Sequence, residues 1–368
     1  MKATIKSTRT FGIEIEFKVA GNLSIIDVER KMNTKKVLKS CGQDNYVRRE
    51  GWNKTVKTWW KIVPDGSCEW ELVSPILKGK EGINQARLLI DTLQSIEGVS
   101  VDMSCGVHVH VGSQDATPRK VANLLKYWAK NEGVVDSVLA PSRRNNRRWS
   151  KSLVDNRLGG QAPSKNHLQH YARKIDNIVD GGGTINDLWN DVAYEDRYKS
   201  INLEAYIKYR TLEFRGHGAS IDSEKITNWV IILTSLVDKT FAMRTVSSNL
   251  MNEGRAFKQI FGTTAGTLRF FRDRAENFGF EQFKNEEVKE VRWAEITDDM
   301  FLVQLSTGGF ILRDIDTHNQ LTDVSVKKVV STLLEERGCV RDWNTMNTRN
   351  VCKLMLEMEG TNTVVCSR

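Results

Sequence analysis

With 368 residues and 40% hydrophobic content, the chain is long enough for one large core or two domains and too apolar for a disordered polymer. No apolar run approaches the ~20 residues of a membrane span, and the opening MKATIKSTRTFGIEIEF lacks the apolar centre of a signal peptide. The net charge of +8 leaves anionic partners open, either nucleotide phosphates or a nucleic-acid backbone.

In chain order, the spacing predicts a strand at TFGIEIEF (10–17), a helix over 24–40, and two strands in 57–75 around the turn Pro64-Asp65-Gly66. Helical periodicity returns at 81–96, a strand at VSVDMSCGVHVHVG (99–112), and a helix over 118–139. The polar, basic stretch 140–195 reads as loops and short helices, followed by two strands in 200–216 and an apolar helix over 223–246. Beyond it come a helical stretch near 255–277, strands within 290–313, and helices near 323–337 and 345–358. A boundary near 280 separates a domain of residues 1–280 from a smaller mixed α/β region of residues 281–368. Cys41, Cys68, Cys105, Cys339, Cys352 and Cys366 stand singly, without a C-x-x-C pair. They are expected to be free thiols, which places the chain in the reducing cytoplasm.

Side chains alternate along a strand. Glu14 and Glu16 therefore share one face of FGIEIEF, with Ile13, Ile15 and Phe17 on the other. Glu69 and Glu71 alternate with Trp70 and Leu72, His108 and His110 with Val107, Val109 and Val111, and Glu213 and Arg215 with Leu212 and Phe214. Four such strands predict an α+β fold, an antiparallel sheet with helices on its greasy face and an open polar catalytic face. Carboxylates crowded on one surface repel unless a cation lies between them. Glu and Asp oxygens with one or two histidines suit Mg²⁺ or Mn²⁺, the ions that bridge nucleotide phosphates. An arginine beside them suits a transferring phosphoryl group.

FGIEIEF, DGSCEWELVSPIL, CGVHVHVG and TLEFRGHGASID, in that order over roughly residues 10–250, resemble the amidoligases of the glutamine synthetase and glutamate–cysteine ligase superfamily. The resemblance implies a glutamine-synthetase-like sheet and an ATP- and Mg²⁺-dependent carboxylate–amine ligase working through an acyl phosphate. It implies Glu16 with Glu71 on one ion, Asp65 or Glu69 as its third ligand, and Glu14, His108 and Glu213 on a second. His110 would lie nearer the phosphates and Arg215 would hold the γ-phosphate or acyl phosphate. Arg143, Arg147 and Lys151 are candidates for phosphate or substrate binding. The amine and carboxylate substrates stay open, a protein or nucleic acid among them, with no membrane partner.

The competing reading is a basic nucleic-acid-associated protein without catalysis, with PSRRNNRRWSK (141–151) as its footprint. It accounts for the charge and leaves the acidic strands unexplained. His167, His170 and His318 read as surface residues, Cys105 as a small residue at a strand start, and Gly181–Gly183 as a turn without the G-K-[S/T] of a phosphate loop. His217, two residues after Arg215, is placed equally well in the cleft or outside it. Arg197 and Asn202 either orient substrate or brace the fourth strand.

Overall fold

The computed structural model describes residues 4–41, 46–145, 148–154, 161–283, 290–297, 299–305, 310–314, 320–321, 325–339, 346, 348–359 and 362–363. The chain divides into two units, Met1–Asn285 and Glu286–Arg368.

The first unit is built on strands β1 (Thr10–Val19), β2 (Val47–Arg49), β3 (Trp60–Asp65), β4 (Glu69–Val73), β5 (Leu77–Lys78), β6 (Val99–Ser100), β7 (Gly106–Gly112), β8 (Ile201–Asn202) and β9 (Thr211–Gly218). Their order across the sheet is β2-β3-β4-β1-β7-β9-β8, with β5 and β6 added along β1. Every described pairing is antiparallel except β2 with β3. The greasy face follows the alternation: Ile13, Ile15, Phe17, Leu72, Val107, Val109, Val111, Leu212 and Phe214 are all fully buried. Each contributes about 1.5–3 kcal/mol on the scale of a completely buried apolar side chain.

Helices α1 (Ile25–Met32), α2 (Lys35–Cys41), α3 (Gly79–Gln94), α4 (Pro118–Asp136), α5 (Lys165–Asp180), α6 (Ile185–Asp187), α7 (Glu204–Tyr209), α8 (Ser223–Phe241), α9 (Glu253–Phe261) and α10 (Ala265–Asn277) complete the unit. Helix α8 packs against β7, α3 and α4. Its start is fixed by Asp222, whose carboxylate accepts from the Lys225 N–H, and that of α4 by Thr117 with Pro118 in the first turn.

Three sequence expectations change. The helix expected over 24–40 breaks at Asn33, because its side-chain amide pairs with both backbone groups of Val47 at 2.7 and 2.9 Å. The strand expected over 99–112 is interrupted by a turn in which Asp102 accepts from the Ser104 N–H and hydroxyl. Within the supposed loops of 140–195 lies the 16-residue α5, burying Leu168, Tyr171, Ala172 and Ile175. The cysteine expectation is also corrected. Cys68 and Cys105 form a disulfide with Cα atoms 5.3 Å apart, joining the β3–β4 turn to the start of β7. Free thiols are therefore no ground for a reducing compartment. Among the described residues Cys339 and Cys352 are free.

The second unit pairs strands β10 (Glu290–Thr297), β11 (Met300–Leu305), β12 (Phe310–Asp314) and β13 (Asn362–Thr363) in the order β12-β11-β10-β13. Helices α11 (Val326–Glu336) and α12 (Thr348–Glu359) close its own core around Leu302, Leu312, Leu334 and Met355. No helix among the described residues is long and apolar enough to cross a membrane.

Candidate active site

The polar face of the sheet is centred on β1. Register sets Glu14 opposite His108 of β7 and Glu16 opposite Glu71 of β4, while His110 stands opposite Glu213 of β9. His108 Nδ1 lies 3.2 Å from Glu14 Oε2 and 3.7 Å from Glu213 Oε1, and its Nε2 lies 3.8 Å from Glu16 Oε1. His110 Nε2 lies 3.3 Å from Glu14 Oε1. Cross-strand geometry thus assembles six acidic or imidazole side chains, from Glu14 to Glu213, that lie far apart in the sequence.

Two sets of ligand atoms lie within 4.8 Å of one another: Glu14, Glu71 and His108, and Glu14, His110 and Glu213. Glu14 belongs to both. His110 Nδ1 is bonded to Thr211 Oγ1 at 3.0 Å, while its buried Nε2 has no aligned hydrogen-bond partner. A ring fixed through one nitrogen with the other left open among carboxylates is the arrangement a metal ligand needs. The residues therefore fit a pair of hard divalent cations. This grouping differs from the one the resemblance implies. His110 joins Glu14 and Glu213, His108 joins Glu14 and Glu71, and Glu16 belongs to neither set. Glu16 is buried and accepts from the Gly106 N–H at 2.6 Å. A Cβ at Gly106 would come within 3.3–3.5 Å of His108, Arg143 and Glu16, so the glycine leaves this corner of the floor clear.

The charges divide sharply. Burial works to raise Glu14, but the charge of His110 and the hydrogen bond and charge of His108 prevail and hold its carboxyl well below the usual range. Burial and then the neighbouring Glu14, Glu16, Asp65 and Glu213 push Glu71 well above it. His110 is raised, because Glu14 and Glu213 outweigh its burial. Without a cation, both shifts favour the protonated forms of Glu71 and His110.

Arg215 donates to Glu213 and, through Nε, to the Trp149 carbonyl at 3.4 Å. Asn202 Nδ2 holds the other Glu213 oxygen at 2.6 Å. Asn202 thus braces the carboxylate, while its Oδ1 accepts from the Glu204 N–H. His217 is outside the cleft. The β7–β9 ladder pairs Val109 with Phe214 and Val107 with His217, so β9 carries one extra residue there. That bulge turns His217 onto the helix face, where it packs 5.2 Å from Trp229 and burial drives its pKa well below the usual imidazole value.

Asp65 lines the cavity, and its carboxylate accepts from the Ser67 N–H and hydroxyl and the Cys68 N–H, shaping the turn. Glu69 shares the parity of Glu71 but sits at φ 121° and accepts from the Val19 N–H at 3.1 Å. It is not among the residues lining the cavity, whereas Glu71 is. Arg143 lines the cavity and is buried, donating to the Cys105 and Met103 carbonyls. Lys151 is paired with Asp196 at 2.7 Å and does not line the cavity. Arg144 donates to the Leu139 carbonyl and rests on the rings of Phe278 and Phe280. Arg147 and His318 lie outside the described residues. His167 and His170 are exposed on α5, and Trp60 is core.

The cavity has a volume of about 500 Å³. Its wall includes segment 51–59, of which the sequence reading took only 57–59, as the start of a strand, and which is tied to the floor by Lys61. This buried ammonium donates to Asn53 O at 2.8 Å, Asn53 Oδ1 at 3.0 Å and Thr55 O at 3.0 Å. The signal was available: Lys61, Val63 and Asp65 alternate along β3, so Lys61 shares the face of Asp65.

No curated protein matches the chain. A family model described as "putative amidoligase enzyme" matches residues 7–237, a span that contains every strand of the acidic floor. The chain belongs to the amidoligase family.

Proposed function

We propose that the protein is an ATP- and Mg²⁺-dependent carboxylate–amine ligase that forms an amide through an acyl-phosphate intermediate, on a sheet of the glutamine synthetase type. The observation that carries this reading is the pair of ligand sets sharing Glu14, with the open nitrogen of His110 in one of them. Two divalent cations, when bound, would supply neutralising charge to the nucleotide phosphates and to the transferring group.

The chain's own residues account for the rest. Arg215 is held by Glu213 and the Trp149 carbonyl in the cavity wall, where its fixed charge opposes phosphoryl oxygens as the γ-phosphate passes to the substrate carboxylate. Arg143 adds a second guanidinium from the same wall. Thr211 and Asn202 hold His110 and Glu213 in place, so little reorganisation is required when charge moves. The amine then attacks the acyl phosphate, expelling phosphate and forming the amide. The nucleic-acid reading has less support, since Arg144 and Lys151 of its supposed footprint are engaged within the fold and Arg143 lines the cavity.

The test is ADP release with and without Mg²⁺, against panels of amines, amino acids and peptide carboxylates. Metal-dependent release that requires both a carboxylate and an amine, and that is lost in folded Glu14→Gln and Arg215→Met, supports the ligase. Absence of nucleotide binding in the presence of metal overturns it.

A further inference from the structure

We infer that segment 51–59 is the docking wall for the acyl substrate, an acidic peptide with a large apolar side chain next to its reacting carboxyl group. The assignment of that peptide as acyl substrate rests on the ligase reading above.

Three large apolar side chains that the fold leaves in solvent line the same cavity: Trp52 at 65% exposure, Val56 at 54% and Ile76 at 66%. Exposed apolar groups scattered singly require no explanation, but their gathering at the mouth of a polar cavity marks a binding surface. Tryptophan is the commonest anchor of such surfaces, with its large area and few rotatable bonds.

The wall is also rigidly built. Lys61 commits all its described hydrogen bonds to the segment, and Glu50 accepts from Asn53 Nδ2 at 2.9 Å and Trp59 Nε1 at 2.8 Å. A buried ammonium spent on backbone carbonyls of a segment without regular structure fixes that segment before any ligand arrives, which lowers the entropy lost on binding.

Charge decides what kind of chain the wall receives. The Lys54 ammonium lies 5.4 Å from the Trp52 ring and edges that platform with positive charge, while Lys57, 5.3 Å from the Trp59 ring, also lies 3.8 Å from the Glu50 carboxylate. The floor below carries Glu14, Glu71 and Glu213. Lys61, Arg143 and Arg215 deeper in the cavity serve the floor and the reacting groups, whereas the lysine at the mouth offers a cation to acids that do not react. A nucleic-acid strand fits poorly, because its evenly spaced phosphates would run from the lysines onto the carboxylates. Short peptides with one apolar residue between acids match both features.

The experiment is fluorescence anisotropy on the full chain, without nucleotide or divalent cation. The probes are a fluorescein-labelled acidic hexapeptide ending in Leu-Glu, its counterpart ending in Ala-Glu, and a labelled thymidine oligonucleotide of equal charge. The Leu peptide is expected to bind about tenfold tighter than the Ala peptide. Trp52→Ala, at an exposed position that does not threaten folding, should erase that preference. The double variant Lys54→Gln, Lys57→Gln should weaken both peptides alike and flatten their salt dependence. Equal affinity for the two peptides, a preference untouched by Trp52→Ala, or an oligonucleotide that outcompetes both would overturn the wall. ADP release with free amino acids but no peptide binding also overturns it and leaves the ligase standing. Peptide binding with no ADP release under any condition overturns the ligase and leaves the docking surface.

Discussion

Glu14 and His108 face each other across the β1–β7 ladder, with the imidazole Nδ1 3.2 Å from the carboxylate, and the same Glu14 reaches His110 at 3.3 Å. One side chain therefore serves both ligand sets, whereas Glu71 serves one. Titration calorimetry with Mn²⁺ should show Glu14→Gln losing both binding events and Glu71→Gln losing one. Two undiminished events in Glu14→Gln would show that the shared position is not a ligand.

Proton affinity makes a second prediction. Burial and the surrounding carboxylates raise Glu71 in the folded chain, so between its ordinary value near 4.5 and its higher folded value the native state binds more protons than the unfolded state. Stability without metal must then fall as pH rises through that window. Over the same window Mn²⁺ affinity must rise, because the cation competes with the proton. Denaturant melts of wild type and Glu71→Gln from pH 4.5 upward check this, and the slope assigned to Glu71 should vanish in the variant.

Behind the cavity wall, buried Glu132 accepts from the Leu153 N–H at 3.0 Å, the Ser200 hydroxyl at 2.9 Å and the Ser152 hydroxyl. Ser200 in turn accepts from Trp128 Nε1 at 3.1 Å. Glu132→Ala leaves several buried donors without an acceptor and should cost roughly 3 kcal/mol in urea unfolding. A loss below about 1 kcal/mol would mean that solvent reaches the network.

The Cys68–Cys105 disulfide closes a loop with a sequence separation of 37. On the loop-entropy model, dithiothreitol should lower the unfolding free energy of the first unit by about 4 kcal/mol. The variant Cys68→Ser, Cys105→Ser should start lower and ignore the reductant. A wild type equally indifferent to reductant would show that the cross-link contributes nothing.

The strand alternation of Glu14, Glu16, Glu71, His108, His110, Glu213 and Arg215 was legible because each strand states its two faces in its own residues. Which acids meet was not, because register is a property of pairs of strands. Glu16 and Glu71 stand opposite each other, yet Glu71 shares its ligand set with Glu14 and His108, and Glu16 turns to the Gly106 N–H. His217 escaped prediction because the β9 bulge breaks the period of two on which its placement depended. Cys68 and Cys105 met through a turn folding back, which spacing along the chain does not encode. Helix α5 was legible in retrospect, since Leu168, Tyr171, Ala172 and Ile175 keep helical spacing within a polar stretch.

The floor also carries its own counter-ions. Lys61 lies within electrostatic range of Glu14 and Glu71, Arg215 is bound to Glu213, and the two imidazoles bracket Glu14. Domains whose acids or thiols have no such neighbours remain unfolded until their ion arrives. Here most of the carboxylates have a counter-ion within the polypeptide, so the proposed cations would load onto an already folded sheet. Removing divalent cations with a chelator should empty the floor reversibly and leave the sheet in place.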